Sequence, residues 1–138
     1  MGITLGNREH SIDMGCGGFM SLRQRIASLL SEEFGILYKN WVRPCSPISD
    51  DEGNKNLKSF YDDGILTDDD DIIIDFLFAS DLGGKLTAKG CKRLYKIIKN
   101  YDDNYIYGYA LHPHPAKFAD FKEIIKESAE NNWIVKWR

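Results

Sequence analysis

Residues 85–101, KLTAKGCKRLYKIIKNY, have the period of an amphipathic helix with one apolar face and one cationic face. Thr87 belongs to the residue types that cap helix N-termini, and Asn100 marks the far end. The apolar face consists of Cys91, Leu94, Tyr95, Ile97, Ile98 and Tyr101. The opposite face, the cationic ridge, consists of Lys85, Lys89, Lys92, Arg93, Lys96 and Lys99. The segment therefore predicts a helix that is buried along one side and presents cations along the other.

The composition is that of a globular domain with an uneven charge distribution. The chain has 138 residues, of which 43% are hydrophobic and 12% aromatic, and this suffices for the core of one domain spanning residues 1–138. The net charge is −3, but acids crowd residues 50–75 and cations dominate from residue 84 onward. Prolines and glycines interrupt the acidic part, so residues 43–71 are predicted to form an acidic surface loop. Such a charge distribution suits partners of either sign, or a second copy of the chain.

The cysteines and the hydropathy of the chain indicate a cytoplasmic protein. Cys16, Cys45 and Cys91 are odd in number and form no C-x-x-C pair, which argues against a disulfide framework. No apolar run has the length of a membrane span, and no signal-peptide pattern precedes the first strand. We therefore expect a cytoplasmic location and no membrane partner.

The other periodic segments predict an α+β domain. Helical spacing of apolar residues predicts two further helices, at residues 19–34, ended by Gly35, and at residues 116–130. Strands are predicted at residues 3–5, 11–14, 72–79 and 133–137, with a short helix as the alternative for 72–79 and either a strand or a buried connection at 36–42. We expect three amphipathic helices packed on a small mixed or antiparallel sheet.

Two short motifs resemble those of a family of small bacterial and phage proteins whose function is unsettled. The first is F-x-x-L-R on an early helix, and the second is S-D-x-x-G-x-L-T before a helix that contains a cysteine. The matching residues are Phe19, Leu22, Arg23, Ser80, Asp81, Gly84, Leu86, Thr87 and Cys91. Ala79 stands where the family has a histidine and Gly83 where it has a second acid, so a metal or catalytic site in the full signature would be incomplete here. The resemblance implies the architecture and no activity.

Residues 15–18, GCGG, precede the first long helix and have two interpretations. Backbone N–H groups at a helix N-terminus can bind an anion, with Arg23 or Arg25 as a nearby cation. A plain strand-to-helix turn needs the same glycines, and the segment lacks the Lys-Ser/Thr of a phosphate-binding loop. Arg23 and Arg25 are therefore candidate ligand-binding residues, with the structural turn as the alternative.

His112 and His114, in the segment HPHP, are the candidate metal ligands. Alternation in an extended segment places both imidazoles on one side, and imidazole is a common zinc ligand. Further ligands would have to come from distant residues such as His10 or Asp81. A rigid surface loop is the alternative, and we expect no resident metal or cofactor.

Two charged features are candidate surfaces for a partner. The run Asp68, Asp69, Asp70 and Asp71 is either a solvated loop or a surface that imitates a nucleic-acid backbone. The cationic ridge, through Lys85, Lys89, Lys92 and Lys96, could hold phosphates, and Tyr105 and Tyr107 beside it could stack bases. A solvated helix face explains the lysines as well, and the acidic net charge disfavours nucleic acid as the partner.

The function that these features favour is binding without catalysis. The sequence has no G-x-S-x-G motif and no cysteine with a catalytic histidine near it. We expect a phage or mobile-element protein that inhibits a host defence protein or sequesters a small anionic or nucleotide ligand. The alternative is a metal-dependent hydrolase or nucleotide-processing enzyme that uses His112, His114 and Asp81.

A homodimer is also predicted, because the acidic and cationic flanks of two copies complement each other. Trp133 and Trp137 lie on the last predicted strand, whose unpaired edge would supply most of the contact. Replacing Trp137 or Trp133 with alanine is then expected to weaken the dimer.

Overall fold

The computed structural model describes residues 2–42, 48–108, 113 and 115–138, and these residues form an α+β fold. They contain six α-helices, one short 3₁₀ helix and a four-stranded sheet. In chain order the elements are β1 (Gly2–Gly6), β2 (Ser11–Gly15), α1 (Cys16–Leu30), α2 (Glu32–Val42), α3 (Asp50–Asp62), the 3₁₀ helix (Asp68–Asp70), α4 (Asp71–Phe78), β3 (Gly84–Leu86), α5 (Ala88–Ile98), α6 (Phe118–Asn131) and β4 (Val135–Trp137). The predicted fold class is confirmed, with more helices than the three expected.

The sheet is antiparallel throughout, with the strand order β2-β1-β4-β3. Its buried face carries Ile3, Leu5, Met14, Leu86, Val135 and Trp137. Its other face is exposed and carries Thr4, Asp13, Lys85 and Lys136. The alternation along each strand therefore places the helices on one face and leaves the other to solvent.

The predicted hairpin of β1 and β2 is confirmed, and Asn7 holds its turn. The Asn7 side-chain oxygen accepts the backbone N–H groups of Glu9 and His10, at 2.9 and 2.8 Å. Its amide nitrogen donates to Glu127 at 2.8 Å and to Ser128 at 3.0 Å on α6. One side chain thus fixes the turn and attaches the hairpin to a helix more than a hundred residues away in the sequence.

The predicted end of the first helix is wrong, because residues 19–34 belong to two helices, α1 and α2. Ser31 has an extended backbone between α1 and α2, and its hydroxyl accepts the N–H of Phe34 at 3.3 Å. Gly35 lies inside α2, where a Cβ would collide with Ser28 of α1. Its role is therefore close helix packing and not helix termination. Residues 36–42 are helical as well, so neither the strand nor the connection predicted there is present.

The predicted acidic loop is also wrong over its larger part. The hydroxyl of Ser49 caps α3 by accepting the N–H of Glu52 at 3.2 Å. The first turn of α3 contains Asp50, Asp51 and Glu52, and acids are favourable at the positive end of a helix. The acids therefore stabilise a helix start, and residues 43–47 lie outside the described part of the chain.

Residues 72–78 belong to a helix, the alternative to the strand predicted at 72–79, and Ala79 has an extended backbone. Thr67 and Asp70 form a capping box in which Asp70 accepts the Thr67 N–H at 3.0 Å, and α4 follows directly. Ile73, Ile74, Phe76 and Leu77 of this helix are buried. A short apolar run buried on several sides has no period that distinguishes a helix from a strand, so packing decides between them.

The central prediction, a helix in residues 85–101, is confirmed as α5. The Thr87 hydroxyl caps it by accepting the Gly90 N–H at 3.2 Å, and Cys91, Leu94 and Ile98 are buried. The predicted helix at residues 116–130 is confirmed as α6, which Asn132 ends in the left-handed conformation, φ 58°. Helices α5 and α6 pack along each other. No helix in the described ranges is long and apolar enough to cross a membrane.

The last strand is confirmed, but its expected position at a sheet edge is wrong. β4 pairs with β1 on one side and with β3 on the other, so both rows of its backbone groups face neighbouring strands. Trp137 is buried, with its ring 5.7 Å from the ring of Phe19 and 5.4 Å from that of Phe76. β4 therefore offers no free edge, and Trp137 no exposed ring, for the contact on which the predicted dimer was based.

Candidate functional site

The two motifs of the family resemblance contact each other at the C-terminal end of α4. Arg23 is buried and donates through Nη1 to the carbonyl oxygens of Phe76, Leu77 and Ala79, at 3.3, 3.2 and 2.7 Å. Its Nη2 pairs with the carboxylate of Asp81. The last carbonyls of a helix lack an acceptor role in the regular i+4 ladder, and a cation there also suits the helix dipole. Arg23 therefore caps α4, and its proposed part in ligand binding stays a prediction.

The rest of the second motif positions the same junction. The carbonyl of Ser80 accepts the indole N–H of Trp137 at 2.9 Å. A Cβ at Gly84 would collide with the Trp137 ring, so only glycine permits this packing. Thr87 caps α5, as described above. Each of these contacts joins α4, β4 and α5 around this junction.

The glycines of residues 15–18 are explained by a close backbone approach. α1 begins at Cys16, and a Cβ at Gly18 would collide with the backbone carbonyl of Tyr107. The chain around Tyr107 thus passes directly over the first turn of α1. Since Arg23 is bonded to α4, the geometry favours the structural turn over the predicted anion site at this helix start.

A polar cleft lies beside α1, and it contains three of the predicted site residues. Arg25, Tyr105 and Tyr107 line it together with Lys39 from α2. The other lining residues are Ser21, Gln24 and Ser28, which follow one face of α1 at helical spacing. The volume of the cleft is about 240 Å³. Two cations, two serine hydroxyl groups, two tyrosine side chains and an amide thus surround a space for a small polar molecule.

Asp103 orders the aromatic wall of this cleft. It accepts the hydroxyl of Tyr107 at 2.9 Å and that of Tyr101 at 3.2 Å, and the Tyr105 N–H at 3.0 Å. Burial, together with the hydrogen bond to Asp103, raises the pKa of Tyr107 above its usual value, so the phenol stays neutral. The Nε atom of Arg25 lies 3.9 Å from the same carboxylate. The carboxylate therefore orients the guanidinium without forming a close ion pair with it.

Tyr105 is the exposed ring of the cleft. It is 50% exposed, and its ring centre is 4.8 Å from that of Tyr107. Tyr107 is buried and fixed by Asp103, so Tyr105 rests on a rigid support and presents a free aromatic face. An aromatic face beside cations is the arrangement that stacks a planar ring of an anionic ligand.

The acidic run and the cationic ridge face each other within the chain. Asp68, Asp69, Asp71 and Asp75 line one open groove of about 520 Å³ together with Lys89, Lys92, Arg93 and Lys96. Asp70 is buried and accepts from Arg93, with the Arg93 Nη2 at 2.7 Å. Asp70 is thus unavailable to a partner, contrary to the prediction, and the neighbouring acids have lysines across the groove. This internal compensation also removes much of the charge asymmetry that suggested a homodimer.

Lys85 was predicted as the first member of the cationic ridge, but it belongs to β3 and not to α5. It is directly opposite Lys136 of β4 on the exposed sheet face. Like charges at directly opposite positions destabilise an antiparallel pair. We expect Lys136→Thr to raise the free energy of unfolding by about 0.2–1 kcal/mol, because threonine suits a strand and the repulsion is lost. Urea denaturation measures the change.

The matched control for this prediction is the reciprocal variant, Lys85→Thr. Each substitution relieves the same repulsion, so the gain of the double variant is expected to be smaller than the sum of the two single gains. Additive gains, or a loss of stability in both single variants, would contradict an unfavourable pair.

The predicted metal ligands His112 and His114 lie outside the described residues. Within the described ranges, no group of three or more His, Cys, Asp or Glu side chains could hold a metal ion. Cys91 is buried, and burial raises the pKa of its thiol to about 12. Its thiolate is therefore scarce near neutral pH, and Cys91 is a core residue and not a nucleophile.

The sequence interpretation missed Ser21, Gln24 and Ser28, although a signal for them exists. With Arg25 they occupy positions i, i+3, i+4 and i+7, which is a polar stripe on a helix whose other side is apolar. Lys39 and Asp103 carried no such signal, because only the packing of α2 and of the segment around Tyr105 brings them to the stripe.

Comparison with known proteins gives no further assignment. No family model, no curated protein and no solved structure matches this chain.

Proposed function

We propose that this protein is a non-catalytic binding protein that takes a small anionic ligand with an aromatic ring, such as a mononucleotide, in the cleft beside α1. The observation that carries the proposal is the convergence of Arg25, Lys39 and the exposed ring of Tyr105 around one polar cleft. Arginine, lysine and hydroxyl groups are the usual donors to phosphate oxygens. Aromatic rings are the usual platform for a base.

Each part of the cleft has a role in this proposal. Arg25 and Lys39 hold the phosphate, because they are the two cations in the lining, and Ser21 donates a hydroxyl hydrogen bond. Tyr105 stacks on the planar ring, and Asp103 keeps Tyr107 behind it in place. The volume of about 240 Å³ suits a ligand of mononucleotide size or smaller, partly exposed to solvent.

The proposal extends to the role of the protein in the cell. The protein sequesters such a ligand in the cytoplasm and acts as an anti-defence inhibitor that a phage or mobile element encodes. The resemblance of the Arg23 and Asp81 motifs to small bacterial and phage proteins supports this origin.

Calorimetric titration with AMP, GMP, adenosine and inorganic phosphate tests the proposed ligand class. We expect the nucleotides to bind more tightly than phosphate or the uncharged nucleoside, since only they use both the cations and the ring. Arg25→Ala is expected to lower nucleotide affinity about 10–100-fold, the effect of losing a charged hydrogen bond. Tyr105→Ala should lower it about 5–100-fold, and Tyr105→Phe should change it little because the stacking face remains.

Lys96→Ala is the matched control, since it removes an exposed cation of α5 outside the cleft. An equal loss in Lys96→Ala and Arg25→Ala would show non-specific charge attraction, and the absence of binding to every nucleotide would remove the proposal. Chromatography of the nucleotide after incubation tests the non-catalytic part. If the wild type converts the nucleotide and Arg25→Ala leaves it intact, the enzymatic alternative replaces the binding proposal.

A further inference from the structure

A groove with an apolar floor and polar borders lies between the start of α2 and the end of α3. Its lining includes Ile36 and Leu37 of α2, Phe60 of α3, and Ile65 in the following turn. Ile36 is 59% exposed and Ile65 is 43% exposed, although both are large and apolar. The volume of the groove is about 370 Å³, within the range of sites that bind organic groups.

The floor of this groove is rigid because it belongs to the core. Leu37 and Phe60 are half-buried and pack against core residues, and the Phe60 ring lies edge-on to Phe34 at 5.7 Å. Phe34 and Tyr38 of α2 are buried, so Ile36 lies on the opposite side of the same helix. Single exposed aliphatic residues are common, but two that line one preformed groove mark an interaction surface.

The charges around the groove are of one sign. Glu33 and Asp63 belong to its lining, and no lysine or arginine in the described part of the chain does. From the α3 side, Asn56, Ser59 and Asp63 line the groove at helical spacing. The α3 lysines, Lys55 and Lys58, are not among the lining residues.

We propose that this groove binds a basic amphipathic helix of a partner protein. An apolar floor bordered by Glu33 and Asp63 complements a helix whose apolar stripe carries leucine-type anchors and whose flanks carry Lys or Arg. Ile36 and Ile65 provide the apolar contact, and Glu33 and Asp63 select the charge of the partner. The groove is separate from the nucleotide-type cleft, since the two share no lining residue.

The proposal is tested with a fluorescein-labelled synthetic peptide that has leucine at helical positions i, i+3, i+4 and i+7 and lysine elsewhere. Fluorescence anisotropy measures its binding to the wild-type protein. Two peptides serve as controls, one with the same composition and scattered leucines, and one with glutamate in place of lysine. We expect the amphipathic basic peptide to bind at least about tenfold more tightly than either control, since only it has both the stripe and the charge.

Substitutions in the groove identify the binding site. Ile36→Gln is expected to lower the affinity about tenfold or more, because the protein loses an aliphatic side chain that the bound peptide would bury. Leu82→Gln is the matched control, since Leu82 is 85% exposed in another part of the fold. Glu33→Gln combined with Asp63→Asn should lower the affinity and flatten its salt dependence, whereas Asp69→Asn should not. Thermal unfolding confirms that each variant is folded, as expected for exposed positions.

Three results would overturn the proposal. One is equal binding of the amphipathic and scattered peptides, which would show attraction by charge alone. Another is an equal loss of affinity in Ile36→Gln and Leu82→Gln. The third is a wild-type protein that sediments as a dimer while Ile36→Gln sediments as a monomer, because the groove would then hold a second copy of this chain.

Discussion

Replacing Arg23 with alanine is expected to lower the free energy of unfolding by about 3–5 kcal/mol. The guanidinium is buried and satisfies the carbonyl oxygens of Phe76, Leu77 and Ala79 at the end of α4. Alanine removes the Arg23 donor of the Ala79 carbonyl, whereas the carbonyls of Phe76 and Leu77 keep the Ala79 N–H and the Tyr38 hydroxyl as donors. It also removes the partner of Asp81 and the cation 4.3 Å from the Phe19 ring. Because most domains have only about 5–15 kcal/mol of stability, urea denaturation should show a protein close to unfolding.

Three variants separate this explanation from a simple loss of charge. Arg23→Lys keeps the charge but cannot reach three carbonyls at once, so its loss of stability should lie between those of Arg23→Ala and the wild type. Asp81→Asn should cost about 1 kcal/mol or less, since the Asp81 side chain is 43% exposed and water can replace part of the contact. Arg25→Ala, at an exposed position on the same helix, should change stability little. Equal losses in Arg25→Ala and Arg23→Ala would contradict a capping role for Arg23.

Replacing Trp137 with alanine is expected to cost about 3–5 kcal/mol of unfolding free energy, through a cavity in the core. The ring packs on Phe19 and Phe76, fills the space above Gly84, and donates its N–H to Ser80 at 2.9 Å. The sequence interpretation expected Trp137→Ala to weaken a dimer instead. Measuring denaturation and sedimentation on the same samples distinguishes the two effects, because a core residue changes stability at every protein concentration.

Trp137→Phe and Trp133→Ala are the controls for this prediction. Phenylalanine keeps most of the packing and loses the hydrogen bond, so Trp137→Phe should cost clearly less than Trp137→Ala. Trp133 is only half-buried, and its replacement should cost less than that of Trp137. A stable Trp137→Ala monomer derived from a wild-type dimer would contradict the core assignment.

Local signals were sufficient for several elements. Thr87 and the 3.6-residue apolar period predicted α5, because the capping hydroxyl and the buried face are both properties of neighbouring residues. The hairpin of β1 and β2 and the helix α6 were predicted for the same reason, and Asn132 ends α6 where the prediction placed its end. For the candidate site, the charge of Arg25 and the aromatic pair Tyr105 and Tyr107 were recognised, and all three line the cleft.

Other features depend on contacts between residues far apart in the sequence. Ser31 breaks α1 from α2, and Gly35 continues α2, because two helices approach closely at Ser28. Residues 72–78 are helical because a capping box precedes α4 and several sides of this helix are buried, which no local period records. A lysine of α2, Lys39, completes the cleft only because that helix lies beside α1.

The sequence by itself therefore determined which segments are amphipathic, where α5 begins and which residues carry charge. Only the tertiary structure decided how those charges are used. Arg23 and Arg25 are two residues apart on one helix, yet one is buried against the carbonyls of α4 and the other faces an open cleft. Their difference arises because a helix turns about 200° over two residues, which places the two side chains in different surroundings. Burial and partner geometry, which are properties of the assembled fold, then made one arginine structural and left the other available for a ligand.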